Sequence, residues 1–345
     1  MSKTAEEISK ATGFSITTIR FVLNGQSEKY RISASTQKQI NDYIAIHGYS
    51  VNHAARSLKL KRSDTIGLVV PDLDNAFFAR LMAALEIHCR KRNQLLLTVA
   101  SHDNPELENR AISTLLARGV DGLVIAPCQQ TTLPQLIKNK ARASVVMFDR
   151  DFSPPLFPTV SSDNLQGALL MSRRIMKEVK GPCYFLCGHM ELPSIKDRVR
   201  GFKAACEEIG IQNPDELILL EAENTSEAGK QLMKRLIESL RHTPHAFMCS
   251  SLMMLEGALQ QIKTETGSID KDIVIGTFDD HPMLDFLPNR IFSVKQDEQM
   301  LAKKVFDRLI APINERKDGQ SLRDIVPTTL ICRNLKRRTR SVKSA

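Results

Sequence analysis

The 345-residue sequence has no apolar run long enough to cross a membrane, for which about 20 consecutive apolar residues are needed. Near the N-terminus, Lys3, Glu6 and Glu7 stand where a secretory signal would have its apolar core. These absences argue against a membrane protein and against an exported one. We therefore expect the chain to be cytoplasmic.

Cysteine occurs only seven times, an odd number, at scattered positions. This pattern matches neither a disulfide framework nor a zinc site. Cys183, Cys187, Cys206 and Cys249 lie in apolar strand or helix patterns, so we expect buried thiols in a reducing compartment. We predict no metal and no cofactor. Tryptophan is absent as well, which by itself excludes nothing.

Several catalytic motifs are also missing, namely a nucleophile elbow, a phosphate-binding loop and a dinucleotide fingerprint. An acid-rich cleft could still belong to a hydrolase, with Asp279, Asp280 and His281 as acid and base. Because no motif supports that alternative, we expect a protein that is not an enzyme.

Positive charge is concentrated at the two ends of the chain. Residues 1–62 hold ten Lys and Arg against four acids, residues 333–345 hold six against none, and the remainder carries −3 of the formal total of +9. A basic N-terminal segment indicates a polyanionic partner, because phosphate neutralisation supplies much of the affinity for nucleic acids. We interpret residues 333–345 as a solvated basic tail rather than a second DNA contact.

Two short helices joined by a tight turn are predicted at the N-terminus. Thr4 and Glu7 have the spacing of a capping box, and Gly13 supplies the permissive backbone needed at the helix end. Ser15 then caps a second helix that begins at Ile16. The spacing is that of a helix-turn-helix, and the alternative is a generic helical hairpin with a polar face.

The second helix has two different stripes. Ile19 and Val22 fall on an apolar one, and Ile16, Thr17 and Arg20 fall on the other. Thr and Arg can hydrogen-bond base edges in the major groove, and Ile can make apolar contact there. We interpret the second stripe as the one that faces DNA.

A third amphipathic helix is predicted over residues 36–47, spaced to cover the first two. The segment from Asn52 to Leu58 is basic and too short to form a stable helix alone. We interpret it as a hinge that folds on DNA, with Leu58 as an apolar wedge in the minor groove. The alternative is a basic linker with an incidental Leu.

From Asp64 onward, apolar strand-like runs alternate with helical patterns, which indicates right-handed crossovers and parallel sheets. The predicted strands cover residues 65–70, 95–100, 122–126, 144–148, 183–187, 217–220, 246–249 and 273–278. The predicted helices cover residues 76–93, 106–118, 165–177, 199–209, 226–240 and 255–266. The two halves look alike, which favours two similar subdomains.

In such sheets a ligand binds at the carboxyl ends of the strands, in the crevice between subdomains. The polar residues that follow predicted strands are Asp72, Asp74, Asn75, Asp149, Arg150, Ser250, Ser251, Asp279, Asp280 and His281. Carboxylates accept hydrogen bonds from sugar hydroxyls, and Arg donates a planar fork to a diol or a phosphate. This mixture suits a polyol.

The sequence as a whole resembles the LacI family of bacterial transcription regulators. The resemblance covers nearly the whole chain and includes Gly13–Ser15, Val22–Gly25 and the Asn52–Leu58 spacing. It is strongest toward the subgroup of sucrose-operon repressors and the fructose catabolite repressor/activator, through Tyr30–Ser33 and Phe278–His281.

The chain departs from the common family pattern at two places. Phe21 stands where many members carry Arg, and Ser251 with Leu252 stands where many carry Asn and Asp. The subgroup shares both kinds of change.

The resemblance implies an all-α helix-turn-helix head and an α/β periplasmic-binding-protein-like core of two doubly wound parallel-sheet subdomains. We expect the head at residues 1–50, a hinge helix and linker at 51–63, the core at 64–332 and the tail at 333–345. The first subdomain is expected to comprise residues 64–162 and 291–324, and the second residues 163–290 and 325–332.

Binding residues also follow from the resemblance and the residue patterns together. The expected DNA contacts are Thr4, Ser15, Ile16, Thr17, Thr18, Arg20, Asn24, Tyr30, Arg31, Asn52, Ala55, Arg56 and Leu58. The expected effector contacts are Asp72, Asn75, Phe77, Asp149, Arg150, Arg198, Ser251, Asp279, Asp280 and Gln296. Arg198 and Asp279 are expected to hold the effector from one subdomain, and Asp149 and Arg150 from the other.

The expected function is repression of a sucrose or fructose utilisation operon by a homodimer or tetramer bound to double-stranded operator DNA. A small sugar or sugar phosphate, such as fructose or fructose 1-phosphate, is expected to release it. One alternative is a dual repressor/activator of central carbon metabolism. Another is a sugar-binding protein without DNA binding, which would not need residues 1–62.

Overall fold

The computed structural model describes residues 3–50, 62–130, 144–152, 157–311 and 322–335. The chain divides into two compact units, residues 1–64 and residues 65–345. The predicted hinge contacts Asn52, Ala55, Arg56 and Leu58 lie outside the described residues.

The N-terminal unit contains three helices: α1 (Ala5–Thr12), α2 (Ile16–Leu23) and α3 (Ala34–His47). Thr4 and Glu7 form the predicted capping box, and Gly13 ends α1 with a φ of 77°. Ser15 accepts a hydrogen bond from the amide of Thr18 at the start of α2. The capping predictions are therefore confirmed.

A small apolar core holds this head unit together. Ile8, Ile19 and Ile40, one from each helix, are fully buried, and Ala5 is nearly so. Ile19 therefore lies on the inner stripe of α2, as its spacing predicts. Because few side chains are buried here, each of them carries a large share of the head's stability.

The described part of the second unit contains two six-stranded sheets. From edge to edge, the first consists of β11 (Arg323–Val326), β5 (Thr159–Ser162), β4 (Ser144–Phe148), β3 (Gly122–Ile125), β1 (Thr65–Val70) and β2 (Leu95–Ala100). The second consists of β12 (Thr329–Arg333), β10 (Arg290–Lys295), β9 (Val274–Phe278), β8 (Ala246–Cys249), β6 (Tyr184–Gly188) and β7 (Ile218–Glu221). Among the described strands, β12 pairs antiparallel with β10 and the other pairings are parallel. The predicted parallel architecture is confirmed.

Helices cover both faces of each sheet. On the first sheet, α4 (Ala76–Lys91) and α10 (Glu298–Ile310) pack on one face and α5 (Pro105–Ala117) on the other. On the second, α6 (Asn164–Glu178) and α7 (Pro193–Glu208) pack on one face, and α8 (Ser226–Leu240) and α9 (Leu252–Thr266) on the other. None of the helices in the described ranges is long and apolar enough to cross a membrane.

The start of α7 differs from its prediction. The helix begins at Pro193, six residues before the predicted start at Val199, and no side chain caps it. Proline fits the first turn of a helix because the missing amide hydrogen has no partner there in any case. Arg198 consequently lies inside the helix rather than ahead of it.

The predicted subdomain boundaries are wrong at their edges. The prediction placed residues 291–324 in the first subdomain, but β10 pairs with β9 in the second sheet. It placed residues 325–332 in the second, but β11 pairs with β5 in the first sheet. The chain crosses to the first sheet after β10 and back to the second after β11. These boundaries were not predictable because the sequence of a short strand does not encode which of two similar sheets it joins.

The start of the predicted tail is also corrected. Arg333 is the last residue of β12, and its guanidinium lies 2.7 Å from Asp280 and 2.5 Å from Asp285. This side chain is mostly buried rather than solvated. Arg333 thus belongs to the core.

The cysteines that the sequence predicts to be buried are so. Cys183, Cys187, Cys206 and Cys249 are buried free thiols. Burial raises the pKa of Cys187 to about 12, which keeps the thiol protonated and unreactive near neutral pH.

Helices α8 and α9 cross at close range through Gly229 and Gly257. A Cβ on Gly257 would lie 1.7 Å from the carbonyl oxygen of Ser226, and one on Gly229 would lie 2.1 Å from that of Met254. Both obstacles are backbone atoms, which cannot rotate aside as a flexible side chain can.

We expect Gly257→Ala to lower the free energy of unfolding of the core by about 1–3 kcal/mol or more, because overpacking forces the two helices apart. Urea unfolding followed by circular dichroism measures this change. Gln260→Ala, at an exposed position of the same helix, should change the value by less than about 0.5 kcal/mol. Equal effects of the two variants would contradict the close approach.

Candidate functional site

A cavity of about 400 Å³ lies between the two subdomains of the core, and we call it the crevice. Its walls are residues that follow β1, β2 and β4 of the first sheet and β6 to β10 of the second. The predicted effector residues that line it are Asp72, Asn75, Phe77, Asp149, Arg150, Arg198, Ser251, Asp279 and Gln296. These residues lie in segments that follow the carboxyl ends of strands, so the parallel sheets bring them together at one edge, as predicted.

Arg198 is held rigidly in the wall of the second subdomain. Its Nε donates to Asn164 Oδ1 at 2.8 Å, and one terminal nitrogen donates to the carbonyl oxygen of Ser250 at 2.6 Å. The guanidinium carbon lies 4.0 Å from the ring centre of Phe278, a cation–π contact. Burial lowers the pKa of Arg198, and the neighbouring Asp279 and Asp149 oppose that shift. The arrangement presents one oriented guanidinium to the crevice.

Arg150 occupies the wall of the first subdomain and is paired with Asp103. One terminal nitrogen donates to Asp103 Oδ1 and the other lies 3.3 Å from Asp103 Oδ2. The first nitrogen also donates to the carbonyl oxygen of Pro127 at 3.3 Å. Arg150 is buried, and its Nε has no hydrogen-bond partner.

The crevice is lined by two buried carboxyl groups, Asp149 from the first subdomain and Asp279 from the second. Gln296 Nε2 donates to Asp279 Oδ1 at 2.6 Å, whereas Asp149 Oδ1 and Gln296 Oε1 have no partner. Burial raises the pKa of the Asp149 carboxyl, and Arg198 and Arg150 act in the opposite direction. Unpaired buried acceptors are costly, so a ligand that donates hydrogen bonds to them is favoured.

Several crevice residues have a strained backbone. His102, Asp103, Asp149, His189 and Asp279 have φ values between 51° and 63°. Such values are uncommon for residues other than glycine, and their concentration at one cavity is typical of a functional site.

Several crevice residues were not predicted from the sequence, namely His102, Asp103, His189, Glu223 and Asn224. His102 and Asp103 lie within three residues of the end of the predicted strand at 95–100, so they could have been found by considering the polar residues after every strand. Glu223 follows the predicted strand at 217–220 in the same way.

Asp280 does not line the crevice, and its prediction as an effector contact is corrected. Its carboxylate accepts from Ser293 Oγ at 2.6 Å and pairs with Arg333. These bonds lower the pKa of Asp280, against the effect of burial. Asp279 therefore lines the crevice, whereas Asp280 is held outside it by Ser293 and Arg333.

In the head unit, the predicted DNA contacts lie at its surface. Ser15, Thr17, Arg20, Asn24, Tyr30 and Arg31 are exposed, and Thr4, Ile16 and Thr18 are half-buried. Arg20 forms an exposed ion pair with Glu6 at 3.3 Å, which contributes only about 0–1 kcal/mol and so leaves the guanidinium available. Phe21 stacks on Tyr30 with ring centres 3.6 Å apart, so the residue that departs from the common pattern supports the loop beside α2.

Residues 66–316 of this chain match the model of the periplasmic binding protein domain. The sucrose operon repressor of Klebsiella pneumoniae is 30% identical over 331 residues, which are 96% of this chain and 98% of that protein. The chain belongs to the LacI family of transcription regulators. The catabolite repressor/activator of Salmonella typhimurium is 31% identical over 340 residues, covering 96% of this chain and 97% of that protein.

The LacI-family fold is shared with a solved structure, that of the Cra transcriptional dual regulator from Pseudomonas putida in complex with fructose 1-phosphate. The match has a TM-score of 0.69 at 24% identity and covers 78% of this chain and 98% of that one. Members of this family are transcription regulators and not enzymes, so the hydrolase alternative is dismissed. Among the described residues, no group of His, Cys, Asp or Glu is arranged to hold a metal ion.

Proposed function

We propose that this chain is a cytoplasmic repressor of a sugar-utilisation operon of the sucrose or fructose type. The observation that carries the proposal is the crevice between two sheets, with unpaired buried acceptors in its walls. A basic helix-turn-helix head stands ahead of it on the same chain. One chain thus combines a polyol site with a DNA-reading module.

The effector binds in the crevice and contacts both subdomains. Arg198, Asp279 and Gln296 hold it from the second subdomain, while Asp149 and Arg150 hold it from the first. The further contacts in this proposal are Asp72, Asn75, Phe77 and Ser251. A ligand that bridges the two walls favours the closed crevice over the open one, because only the closed form makes all these contacts.

The head reads the operator with the exposed stripe of α2. Thr17 and Arg20 contact base edges in the major groove. Asn24, Tyr30 and Arg31 contact the adjacent sugar-phosphate backbone of the DNA. The hinge residues Asn52, Ala55, Arg56 and Leu58 are assigned to the minor groove from sequence alone.

Repression requires two copies of the chain. Two heads occupy the half-sites of a near-palindromic operator, and the cores pair as a homodimer or a larger assembly. Effector binding changes the spacing of the two hinges, so that they no longer pair in the minor groove. A coupling of about 1–3 kcal/mol between effector and DNA is the usual size for such a switch.

The names of two relatives bear on the regulated genes. The sucrose operon repressor supports control of one operon, whereas the catabolite repressor/activator favours a second candidate, a dual regulator of many carbon-metabolism genes. Transcript profiling of a deletion strain separates the two, because only the second predicts genes that fall as well as genes that rise.

The proposal is tested by selecting promoter fragments that bind the purified chain and then titrating sugars into a gel-shift assay. Fructose, sucrose, ribose, glucose, fructose 1-phosphate and fructose 6-phosphate form the panel. Release of the bound fragment by at least one of them is expected. The proposal would be refuted if the chain bound no promoter fragment at low salt, or if no sugar of the panel changed its affinity for the fragment.

Arg20→Ala is expected to weaken operator binding by about 1–3 kcal/mol and to relax specificity at one base pair, because Arg reads guanine through two hydrogen bonds. Fluorescence anisotropy with systematically altered operators measures both effects. Lys38→Ala removes one charge from an exposed position of α3 and serves as the control. If both variants lose affinity equally on every sequence, Arg20 contacts phosphate and not a base.

A further inference from the structure

The crevice carries more negative than positive charge. Among the described residues that line it, two guanidinium groups stand against the five carboxyl groups of Asp72, Asp103, Asp149, Glu223 and Asp279. Burial raises the pKa of Asp149, but the other four carboxyl groups still outnumber the two guanidinium groups. Burial lowers the pKa of His189, so its imidazole adds no positive charge near neutral pH. A phosphate group brings about −1.5 to −2 charges of its own and meets repulsion here.

Both arginines already have partners. The guanidinium of Arg150 is held by Asp103 through both terminal nitrogens. Arg198 donates to Asn164 and to the carbonyl oxygen of Ser250. A phosphate would have to compete with Asp103 for the fork of Arg150, and the displaced carboxylate would remain beside it.

The unpaired buried atoms of the crevice are mainly acceptors. Asp149 Oδ1 and Gln296 Oε1 require a donor, and Arg150 Nε requires an acceptor. A sugar hydroxyl can donate to the first two atoms and accept from the third. The oxygens of a phosphate dianion only accept, so the phosphate group itself can satisfy Arg150 Nε alone, and each hydroxyl that it replaces removes a donor that Asp149 Oδ1 or Gln296 Oε1 could use.

We infer that the crevice selects uncharged sugars over their phosphate esters, and that Asp103 is the residue that sets this selectivity. The inference rests on the proposed function and narrows its effector class. Asp103 acts twice, since it occupies the guanidinium that a phosphate would need and adds a negative charge near it. The cavity of about 400 Å³ lies within the range of about 300–1,000 Å³ that is usual for small-molecule sites.

The test uses the full chain and matched pairs of ligands in isothermal titration calorimetry. Each pair is a sugar and its own monophosphate: fructose with fructose 1-phosphate, glucose with glucose 6-phosphate, and ribose with ribose 5-phosphate. In the pair that binds best, the free sugar is expected to bind at least tenfold more tightly.

The variant Asp103→Asn tests the assigned residue. Asn tolerates the left-handed backbone found there and removes the charge. We expect the phosphate ester to gain at least tenfold in affinity, while the free sugar changes less than threefold. Glu106→Gln removes the same charge at an exposed position of α5 and should alter neither affinity.

The outcomes separate this inference from the proposed function. Tighter binding of the phosphate ester by the unchanged protein overturns the selectivity and leaves sugar sensing intact. An unchanged affinity ratio in Asp103→Asn overturns the role of Asp103. If the folded protein still binds operator DNA in a gel-shift assay but binds none of these sugars or sugar phosphates, the proposed function fails and this inference fails with it.

Discussion

Replacing Arg198 with Ala is expected to give a regulator that still binds its operator and no longer responds to its effector. The change removes a buried guanidinium that is oriented by Asn164, Ser250 and Phe278. Truncating one member of a buried charged contact costs about 2–5 kcal/mol of binding free energy. Calorimetry with the best-binding sugar should therefore show an affinity loss of at least thirtyfold.

The matched control is Arg200→Ala, on the same helix. Arg200 is exposed and pairs only locally with Asp197, at 2.9 Å. Its loss should leave the affinity for sugar unchanged. Arg198→Lys keeps the positive charge but lacks the planar guanidinium, so it should lose less affinity for sugar than Arg198→Ala. It also provides a second test of the assignment if Arg198→Ala does not fold. Wild-type sugar affinity in a folded Arg198→Ala protein would contradict the assignment.

Ile19→Ala is expected to unfold the head and abolish operator binding while sugar binding persists. Ile19 is fully buried among Ile8 and Ile40 in a small core. Such a truncation costs about 2–5 kcal/mol, which is comparable to the whole stability of a module of this size. The head and the core are separate compact units, so the loss should stay local.

Gel shift and calorimetry on the same preparation measure the two activities, and limited proteolysis should release an intact core. Ile46→Ala provides the control, since this side chain is 76% exposed on α3. Its effect on stability should stay within about 0.5 kcal/mol. A parallel loss of sugar binding in Ile19→Ala would show that the two units do not fold independently.

The parts of this protein that could be predicted are those with local causes. The cap at Thr4, the turn at Gly13 and the inner position of Ile19 each depend on residues within one or two helical turns. The crevice lining was predictable too, because parallel strands bring their carboxyl ends to one edge. Asp149, Asp279 and Gln296 meet there although they are far apart in the chain.

The incorrect predictions concern partners that are distant in sequence. Asp280 was predicted to contact the effector, and Arg333 was predicted to begin the basic tail. Both predictions are wrong for one reason, because these two residues form an ion pair with each other. Likewise, the sequences of β10 and β11 are consistent with either sheet, and only their pairing with β9 and β5 decides between them.

The sequence by itself determined the family, the head and its caps, the alternation of strands and helices, and the edge of the sheets where the crevice lies. Only the tertiary structure decided which arginine meets which acid, and so why Arg150 is held by Asp103. The reason is physical. Helix caps and periodicity are properties of neighbouring residues, whereas charge pairing and burial depend on loops that the fold alone brings together.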